Sequence, residues 1–303
     1  MRKTYKAYAK LNLHLDVTGV LPGGYHSVAM LMQSVDLADT VMVESTPGAG
    51  VEIRCNLPYI PKNKSNIAWK AAEAFFSAGI PGVNSGQLPG ISDKRVPGLR
   101  ITLEKKIPSG AGMAGGSADA AAVLAALREM YAPEMTDETL RGIGANIGAD
   151  VPFCLLGGCC WAEGIGEQLT PLQSLPQEYQ FAAVKPAVHI NTANAYAQMD
   201  SIALKRPDTA RVFDYAQQGD FAALFPHCAN VFEQVIVLPG LTAAKEVCTK
   251  AGALLTQMTG SGSAVFALHK AGADAALIEH GLRALGGDSL GILRPMPCGI
   301  EEI

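Results

Sequence analysis

The sequence predicts an α+β fold divided into two domains. Its 303 residues exceed the size at which a single hydrophobic core usually stops growing. Stretches that alternate polar and apolar residues, typical of strands, occur among stretches with helical spacing of apolar residues. Four glycine and proline residues interrupt Glu163–Glu178 and predict a junction there. We therefore expect one domain in residues 1–165 and a second in residues 166–303.

Alternation predicts most of the strands in the first half of the chain. From Lys6 to Asp16 the period is two, which predicts a half-buried strand with Lys10, Asn12 and His14 on its polar face. The elements predicted next are an antiparallel pair of strands, Val41–Glu44 and Val51–Cys55, a helix at Ile67–Ala78, a loop or insertion rich in glycine and proline at residues 79–98, and a strand at Leu99–Lys105.

Helical spacing predominates in the middle of the chain. Apolar residues from Ala120 to Tyr131 recur at helical intervals after a run of glycines. A second helix is predicted at Thr136–Ile147, with Thr136 as its N-cap, and a third follows Asp150. Beyond the junction the pattern is helix-rich as far as Gln257, where a glycine- and serine-rich loop leads into a strand.

Composition and charge argue against several classes of function. The net charge of −4 and the lack of a basic cluster in the sequence argue against binding to nucleic acid. No run of about 18 apolar residues occurs, so we expect no membrane-spanning segment. No apolar signal core follows the first residues, so the cytoplasm is the expected location. The seven cysteines form no Cys-x-x-Cys pair and are expected to be buried and reduced, and the scattered histidines predict no metal site.

A glycine-rich stretch, Pro108–Ser117, precedes the first of these helices. Its four glycines, at positions 110, 112, 115 and 116, allow the backbone to adopt positive φ and to approach a ligand closely. The start of the following helix offers unpaired N–H groups and a partial positive charge, which favour a phosphate chain. Ser117 is expected either to cap this helix or to contact the anion. The alternative is a flexible linker or a packing turn without a ligand.

Two common nucleotide motifs do not fit this stretch. A P-loop requires Gly-Lys followed by Ser or Thr, and the chain contains no Gly-Lys pair. The glycine spacing matches the dinucleotide fingerprint, but that fold requires a buried strand after the helix, and here a second helix follows. The preceding strand also alternates, unlike a buried parallel strand.

The segment Pro108–Ala121 resembles the ATP loop of the GHMP kinases, a family of small-molecule kinases. Ala111, Met113, Ala114 and Ala118 stand where members often carry Gly, Leu, Gly and Ser, all small or apolar exchanges. Four further segments resemble the same family, namely Ala9–Leu15, Gly24–His26, Gly148–Phe153 and Met258–Ser263. The first three of these segments resemble those of the family members that phosphorylate a cytidine-diphosphate-linked methylerythritol.

This resemblance implies an N-terminal mixed α/β domain with the ATP loop, a C-terminal ferredoxin-like domain, and an active site in the cleft between them. It implies ATP as co-substrate together with Mg²⁺, to which we assign no protein ligand, because no carboxylate cluster is evident. Asn66 either caps a helix or contacts adenine, and Lys105 reaches either the nucleotide or solvent. The implied ATP-binding residues are Pro108, Ser109, Gly110, Ala111, Gly112, Met113, Ala114, Gly115, Gly116, Ser117, Ala118, Asn66 and Lys105.

Two residues are candidates for the chemistry. Phosphoryl transfer to an alcohol requires a group that takes the hydroxyl proton and a cation that stabilises the forming alkoxide. Asp150 and Lys10 suit these roles, and the resemblance implies the same pair. The alternatives are that Asp150 is only a helix N-cap before Pro152, and that Lys10 is only a solvated lysine on a strand.

The resemblance also implies an acceptor site. Tyr25 is expected to stack on the cytosine base and His26 to hydrogen-bond it, with Tyr196 as a second aromatic plate. The full implied set is Asn12, Tyr25, His26, Thr192, Tyr196, Gly260 and Ser261. The expected partner is a small molecule, the cytidine-diphosphate-linked methylerythritol, bound by a monomer or a homodimer. Two alternatives stay open, a kinase of the homoserine or mevalonate type and a catalytically silent ATP-binding sensor.

Overall fold

The computed structural model describes residues 1–78 and 96–303, which form two β-sheets with helices packed against them. The strands of the first sheet are β1 (Arg2–Val20), β2 (His26–Ala49), β3 (Val51–Cys55), β4 (Pro97–Glu104), β5 (Cys159–Glu163), β6 (Gln168–Leu172) and β11 (Ile300–Glu302). The strands of the second sheet are β7 (Tyr179–Lys185), β8 (Leu255–Met258), β9 (Val265–Lys270) and β10 (Asp288–Leu293).

The helices differ in how far they are buried. In chain order they are α1 (Ile67–Ser77), α2 (Gly115–Tyr131), α3 (Asp137–Ala145), α4 (Val151–Leu156), α5 (Thr192–Asp200), α6 (Thr209–Gln218), α7 (Phe221–Leu224), α8 (Leu241–Lys250) and α9 (Ala275–Arg283). Every residue of α2 from Ala118 to Leu127 is buried. Its many alanines allow close packing on all sides, and α2 contacts α1, α4, β1 and β2.

The long hairpin of β1 and β2 is the backbone of the first sheet. Its antiparallel register pairs Lys10 with Ser34, and irregularities interrupt the register between Tyr8 and Ala9 and between Asn12 and His14. The predicted strand is confirmed, but the expected half-burial is wrong, because every residue from Ala7 to Val17 is buried. Helix α2 packs against β1, and segments of the second half of the chain also contact β1. The polar side chains of β1 therefore face the interior of the protein rather than solvent.

The predicted antiparallel pair involving Val51–Cys55 is wrong in its pairing. The segment is a strand, β3, but it lies parallel to β4, with Val51 opposite Leu99, and β4 separates it from β2. Only Gly50 separates β2 from β3, which leaves no room for a hairpin turn. The chain instead runs through α1 and returns as β4, as parallel pairing requires.

The predicted helices of the first half are confirmed. The first ends at Ser77, and in α3 the Thr136 side chain accepts a hydrogen bond from the Thr139 N–H, as the capping pattern predicted. Of the loop predicted at residues 79–98, residues 79–95 lie outside the described part, and Pro97 already begins β4. The helix-rich interpretation of the region before Gln257 missed two strands, β7 and β8, whose short apolar runs do not distinguish strand from helix.

The second sheet has the strand order of a ferredoxin-like domain. Its four antiparallel strands lie in the order β10-β7-β9-β8, with α9 connecting β9 to β10. The ferredoxin-like prediction is therefore confirmed. Strand β6 and the C-terminal strand β11 belong to the first sheet, where β11 pairs with β1. The division at residue 165 stays a prediction. No helix in the described ranges is long and apolar enough to cross a membrane.

Candidate active site

The glycine-rich stretch adopts a strained conformation that ends at the first turn of α2. Gly110 and Gly112 have φ values of 64° and 75°, and Ala114 also has a positive φ, 60°. Such a conformation is costly for alanine, and such strain is typical of functional sites. Helix α2 begins directly afterwards at Gly115, so Ser117 lies inside its first turn and does not cap it. The first N–H groups of a helix have no partner within it, so those of this turn are available to an anion.

Two cavities meet at this loop. The first, of about 410 Å³, lies between the loop and the segment Ile60–Ile67. The second, of about 380 Å³, lies between the loop, β1 and the second half of the chain. Both are lined by Gly110, Gly112, Ala114 and Ser117. One glycine-rich loop therefore forms a wall common to two ligand-sized spaces, an arrangement suited to transfer of a group from one to the other.

Asn66 and Lys105 both line the first cavity. The Asn66 side chain accepts from the Ala68 N–H at 2.9 Å, which caps α1, and donates to the Pro61 carbonyl at 2.7 Å. Capping and a position in the cavity wall are thus compatible. Lys105 does not reach solvent, because its side chain is only 4% exposed.

The ammonium of Lys105 lies between two buried carboxylates that the sequence analysis missed. It pairs with Asp39 and, at 2.6 Å, with Asp119 Oδ2, and it also donates to the Gly115 carbonyl at 3.3 Å. Burial by itself lowers the pKa of Lys105, but the two carboxylates raise it above the ordinary value. The available signal for Asp119 was its position as the one charged residue among the alanines that begin α2.

The second cavity contains both catalytic candidates. Lys10 is 4% exposed and donates to Asn12 Oδ1, so the alternative of a solvated lysine is wrong. Asp150 directly precedes α4, but its carboxylate makes no capping hydrogen bond, so capping does not explain it. Both residues line the cavity, and the Lys10 ammonium donates to Asn12; the ion pairs of residues 1–78 and 96–303 do not include one between Lys10 and Asp150. Their catalytic roles stay predictions.

A second glycine loop, Met258–Ser263, closes the cavity opposite the first one. The Thr259 hydroxyl accepts from the Asn12 N–H at 3.0 Å and donates to the Gly112 carbonyl at 3.3 Å. The Ser263 N–H donates to the Gly110 carbonyl at 3.3 Å. Backbone and hydroxyl contacts thus join the two loops to β1. Thr259 belongs to the glycine motif Met258–Ser263 noted in the sequence. The sequence did not predict that its side chain would join this loop to the first glycine loop and to β1.

Only some of the acceptor-site candidates line the second cavity. Asn12, Thr192, Tyr196, Gly260 and Ser261 all line the second cavity, whereas neither Tyr25 nor His26 does. Tyr25 is 64% exposed. The His26 ring stacks on Tyr196, with centroids 4.3 Å apart, and its Nε2 lies 2.8 Å from Asp200 Oδ1. Burial raises the pKa of Tyr196 to about 12, so its phenol is neutral.

Two family models match the chain. Residues 66–158 match the N-terminal domain of the GHMP kinases, and residues 203–288 match the GHMP kinase C-terminal domain. The chain therefore belongs to the GHMP kinase family, as the glycine loops predicted, and it is an ATP-dependent kinase.

The names of curated relatives are more specific than the family models. The 4-diphosphocytidyl-2-C-methyl-D-erythritol kinase of Alkaliphilus metalliredigens is 39% identical over 268 residues, which cover 88% of this chain and 87% of the relative. The protein of the same name from Exiguobacterium sibiricum is 40% identical over 282 residues, or 92% of this chain and 93% of the relative.

Solved structures support the fold. A crystal structure of 4-(cytidine 5'-diphospho)-2C-methyl-D-erythritol kinase superposes with a TM-score of 0.69 at 30% identity, and covers 97% of this chain and 99% of that one. Homoserine kinase from Cytophaga hutchinsonii superposes with a TM-score of 0.76 at 19% identity, and covers 100% and 97%. The second likeness shows the fold alone, so shape does not distinguish the substrates of these relatives.

Proposed function

We propose that this kinase transfers the γ-phosphoryl group of ATP to a hydroxyl of 4-diphosphocytidyl-2-C-methyl-D-erythritol, a step of the non-mevalonate route to isoprenoid precursors. The observation that carries the proposal is the pair of cavities that meet at one phosphate loop, with Lys10 and Asp150 on the acceptor side. The choice of acceptor is supported by the names of relatives that are about 40% identical over most of the chain.

In this proposal ATP occupies the cavity beside Asn66, with its phosphates against the first turn of α2. The N–H groups of that turn and the helix dipole stabilise the phosphate charge without movement during transfer. Asp150 accepts the proton of the attacking hydroxyl, and the Lys10 ammonium stabilises the developing alkoxide. The hydrogen bond from Lys10 to Asn12 orients the ammonium within a buried site.

Mg²⁺ is part of the proposal as the companion of ATP. It neutralises charge on the phosphates when it is bound. Within residues 1–78 and 96–303, no three His, Cys, Asp or Glu side chains gather into a metal-binding group. In this proposal the cation is coordinated mainly by phosphate oxygens and water, as Mg²⁺ commonly is. We assign it no protein ligand.

The base end of the acceptor cavity is proposed to bind cytosine. Tyr196 is partly buried, and the His26 ring stacks on it with the ring centroids 4.3 Å apart. In this proposal the base stacks on Tyr196, which lines the cavity, and His26, which packs against the same ring, hydrogen-bonds the base edge. Tyr25, which is exposed, would close over the base from the other side. The two-domain division at residue 165, a cytoplasmic location and a monomer or homodimer remain part of the same proposal.

A substrate panel tests the function. The purified protein with ATP and Mg²⁺ is offered 4-diphosphocytidyl-2-C-methyl-D-erythritol, homoserine or mevalonate, and phosphate transfer is measured. We expect turnover of the cytidine-linked alcohol alone. Preferred phosphorylation of homoserine or mevalonate would overturn the substrate assignment, and ATP binding without transfer to any of them would indicate a silent sensor.

A further inference from the structure

The ammonium of Lys105 lies at the cavity assigned to ATP, yet each of its three hydrogens has an acceptor within the protein. The residue lines that cavity, and its Nζ donates to Asp39 Oδ2, to Asp119 Oδ2 at 2.6 Å and to the Gly115 carbonyl at 3.3 Å. A lysine ammonium has three N–H donors and no acceptor. A phosphate oxygen could therefore bind Lys105 only by displacing one of these partners, two of which are buried carboxylates.

Asp39 fixes the backbone immediately before the first glycine loop. This carboxylate is buried on β2, and its Oδ1 accepts from the N–H groups of Lys106 and Ile107 at 2.6 and 2.8 Å. The preceding N–H, that of Lys105, donates at 2.9 Å to the side chain of Asn56, which in turn donates to the Lys105 carbonyl at 3.2 Å. Three consecutive N–H groups are thus held by two side chains from other segments, so the direction in which the loop leaves β4 is fixed.

The same group of charges connects the two ends of the loop. Lys105 joins Asp39 to two groups of α2, the carboxylate of Asp119 and a backbone carbonyl in the first turn. The ends also touch directly, because a Cβ at Gly115 would lie 2.9 Å from Ile107 Cγ2 and 3.1 Å from Ile107 Cβ. The spacing of the two ends is therefore fixed by buried groups that need not touch the nucleotide.

We propose that Asp39 and Lys105 are positioning residues for ATP. They form a clamp that holds the first glycine loop at the width that a phosphate chain requires, and Lys105 acts through this clamp rather than by contact with the nucleotide. The inference rests on the assignment of the first cavity to ATP. A loop that is already held in its binding conformation loses less conformational freedom when the ligand binds, which strengthens affinity. Because two carboxylates balance the charge of Lys105, the start of α2 supplies the positive potential for the phosphates.

Calorimetry of ATP binding to Asp39→Asn distinguishes the clamp from a direct role of Lys105, because the two predict changes of opposite sign. The amide keeps an oxygen for the N–H groups of Lys106 and Ile107 but places an NH₂ group against the Lys105 ammonium. If Lys105 bound the phosphates directly, loss of the neighbouring negative charge would strengthen ATP binding. The clamp instead predicts that the full-length variant binds ATP on the order of tenfold more weakly than the wild type, as expected for one lost charged hydrogen bond.

Two further changes test whether the parts of the clamp act together. The double variant Asp39→Asn/Lys105→Met should bind ATP no more weakly than the worse of the two single variants, because either change opens the same clamp. Gly115→Ala leaves every charge in place but presses on Ile107, so it should also weaken ATP binding. Gly115 begins a helix without a positive φ, so alanine adds no left-handed strain there. This variant tests the proposal even where a charge variant does not fold.

Asp16→Asn is the matched control for a purely structural effect. Asp16 is another buried carboxylate, on β1, and pairs with Arg206 and Thr209 of the second half of the chain, so its loss should lower stability without a change in ATP affinity. Urea unfolding establishes that each variant is folded. ATP affinity that is unchanged or higher in folded Asp39→Asn, independent losses in the double variant, or an equal loss in Asp16→Asn would each overturn the inference while ATP binding persists. Failure of the wild type to bind ATP would refute the assignment of the cavity and the inference with it.

Discussion

Replacing Gly112 with alanine tests whether contact between the two glycine loops sets the geometry of phosphoryl transfer. A Cβ at this position would lie 3.0 Å from the carbonyl carbon of Thr259, 3.2 Å from the Gly262 nitrogen, and closer still to the Thr259 carbonyl oxygen. Backbone atoms cannot rotate away as a flexible side chain can. Carbon atoms pack at about 3.5–4.0 Å, so the contact with the carbonyl carbon alone requires the loops to separate by roughly 0.5–1 Å, and the closer oxygen requires more.

Gly110 offers a matched control in the same loop. It also has a positive φ, 64° against 75° at Gly112, but an added Cβ would meet only the His189 ring, with Nδ1 at 3.4 Å and Cε1 at 3.8 Å, which are ordinary contact distances. Both variants share the cost of a left-handed alanine, about 1–2 kcal/mol. Only Gly112→Ala adds overpacking, about 1–3 kcal/mol. A displacement of about 1 Å near reacting atoms can lower a rate about 10²-fold.

We expect the single-turnover rate to fall about 10²-fold in Gly112→Ala and less than about tenfold in Gly110→Ala. The measurement uses saturating ATP and acceptor, so that product release does not hide the chemical step. Circular dichroism and urea unfolding establish that both variants are folded. Equal rate losses in the two variants would refute the reasoning, because the backbone strain that they share would then explain the whole effect.

The other predictions concern the chemistry, the base site and pH. Asp150→Asn should lower the single-turnover rate on the order of 10²-fold or more, with ATP affinity within a few-fold, and Lys10→Met should act similarly; a double variant much worse than either single one would show that the two residues act independently. Tyr196→Ala should weaken binding of cytidine diphosphate in calorimetry while ATP affinity is unchanged, and an equal loss for Tyr25→Ala would show that the exposed tyrosine closes over the base. Burial lowers the pKa of His14 to about 4. The stability that neutral His14 contributes above pH 6.5 should therefore decline as pH falls toward 4, by about 3 kcal/mol. Urea unfolding of the wild type and of His14→Gln at both ends of this range measures the decline, and an equal change in the free energy of unfolding of the two proteins would contradict it.

Features that depend on neighbouring residues were predictable. The Thr136 cap, the start of α2 after the glycines and the alternating strand β1 all arise from local spacing and local hydrogen bonds. The two glycine loops indicated the family because a backbone with positive φ restricts which residues fit. The structure also explains why family members often carry glycine at position 114, because Ala114 adopts a left-handed conformation that glycine takes more readily.

Pairings between distant residues were not predictable in the same way. The sequence indicates a strand at Val51–Cys55, but nothing local shows that β4 comes between it and β2. Lys105 follows an alternating strand and looks free to reach a ligand or solvent. Its burial between Asp39 and Asp119 depends on residues 66 positions before it and 14 positions after it.

By itself, the sequence determined the kinase family, the phosphate loop and the candidate pair Lys10 and Asp150, because glycine positions and short motifs express local backbone requirements. Only the tertiary structure decided which polar groups share a cavity, that Asp150 is not engaged in capping, and that Lys105 is buried between Asp39 and Asp119. Burial and hydrogen-bond partners arise when distant segments pack together, and one sequence specifies that packing only through the whole fold.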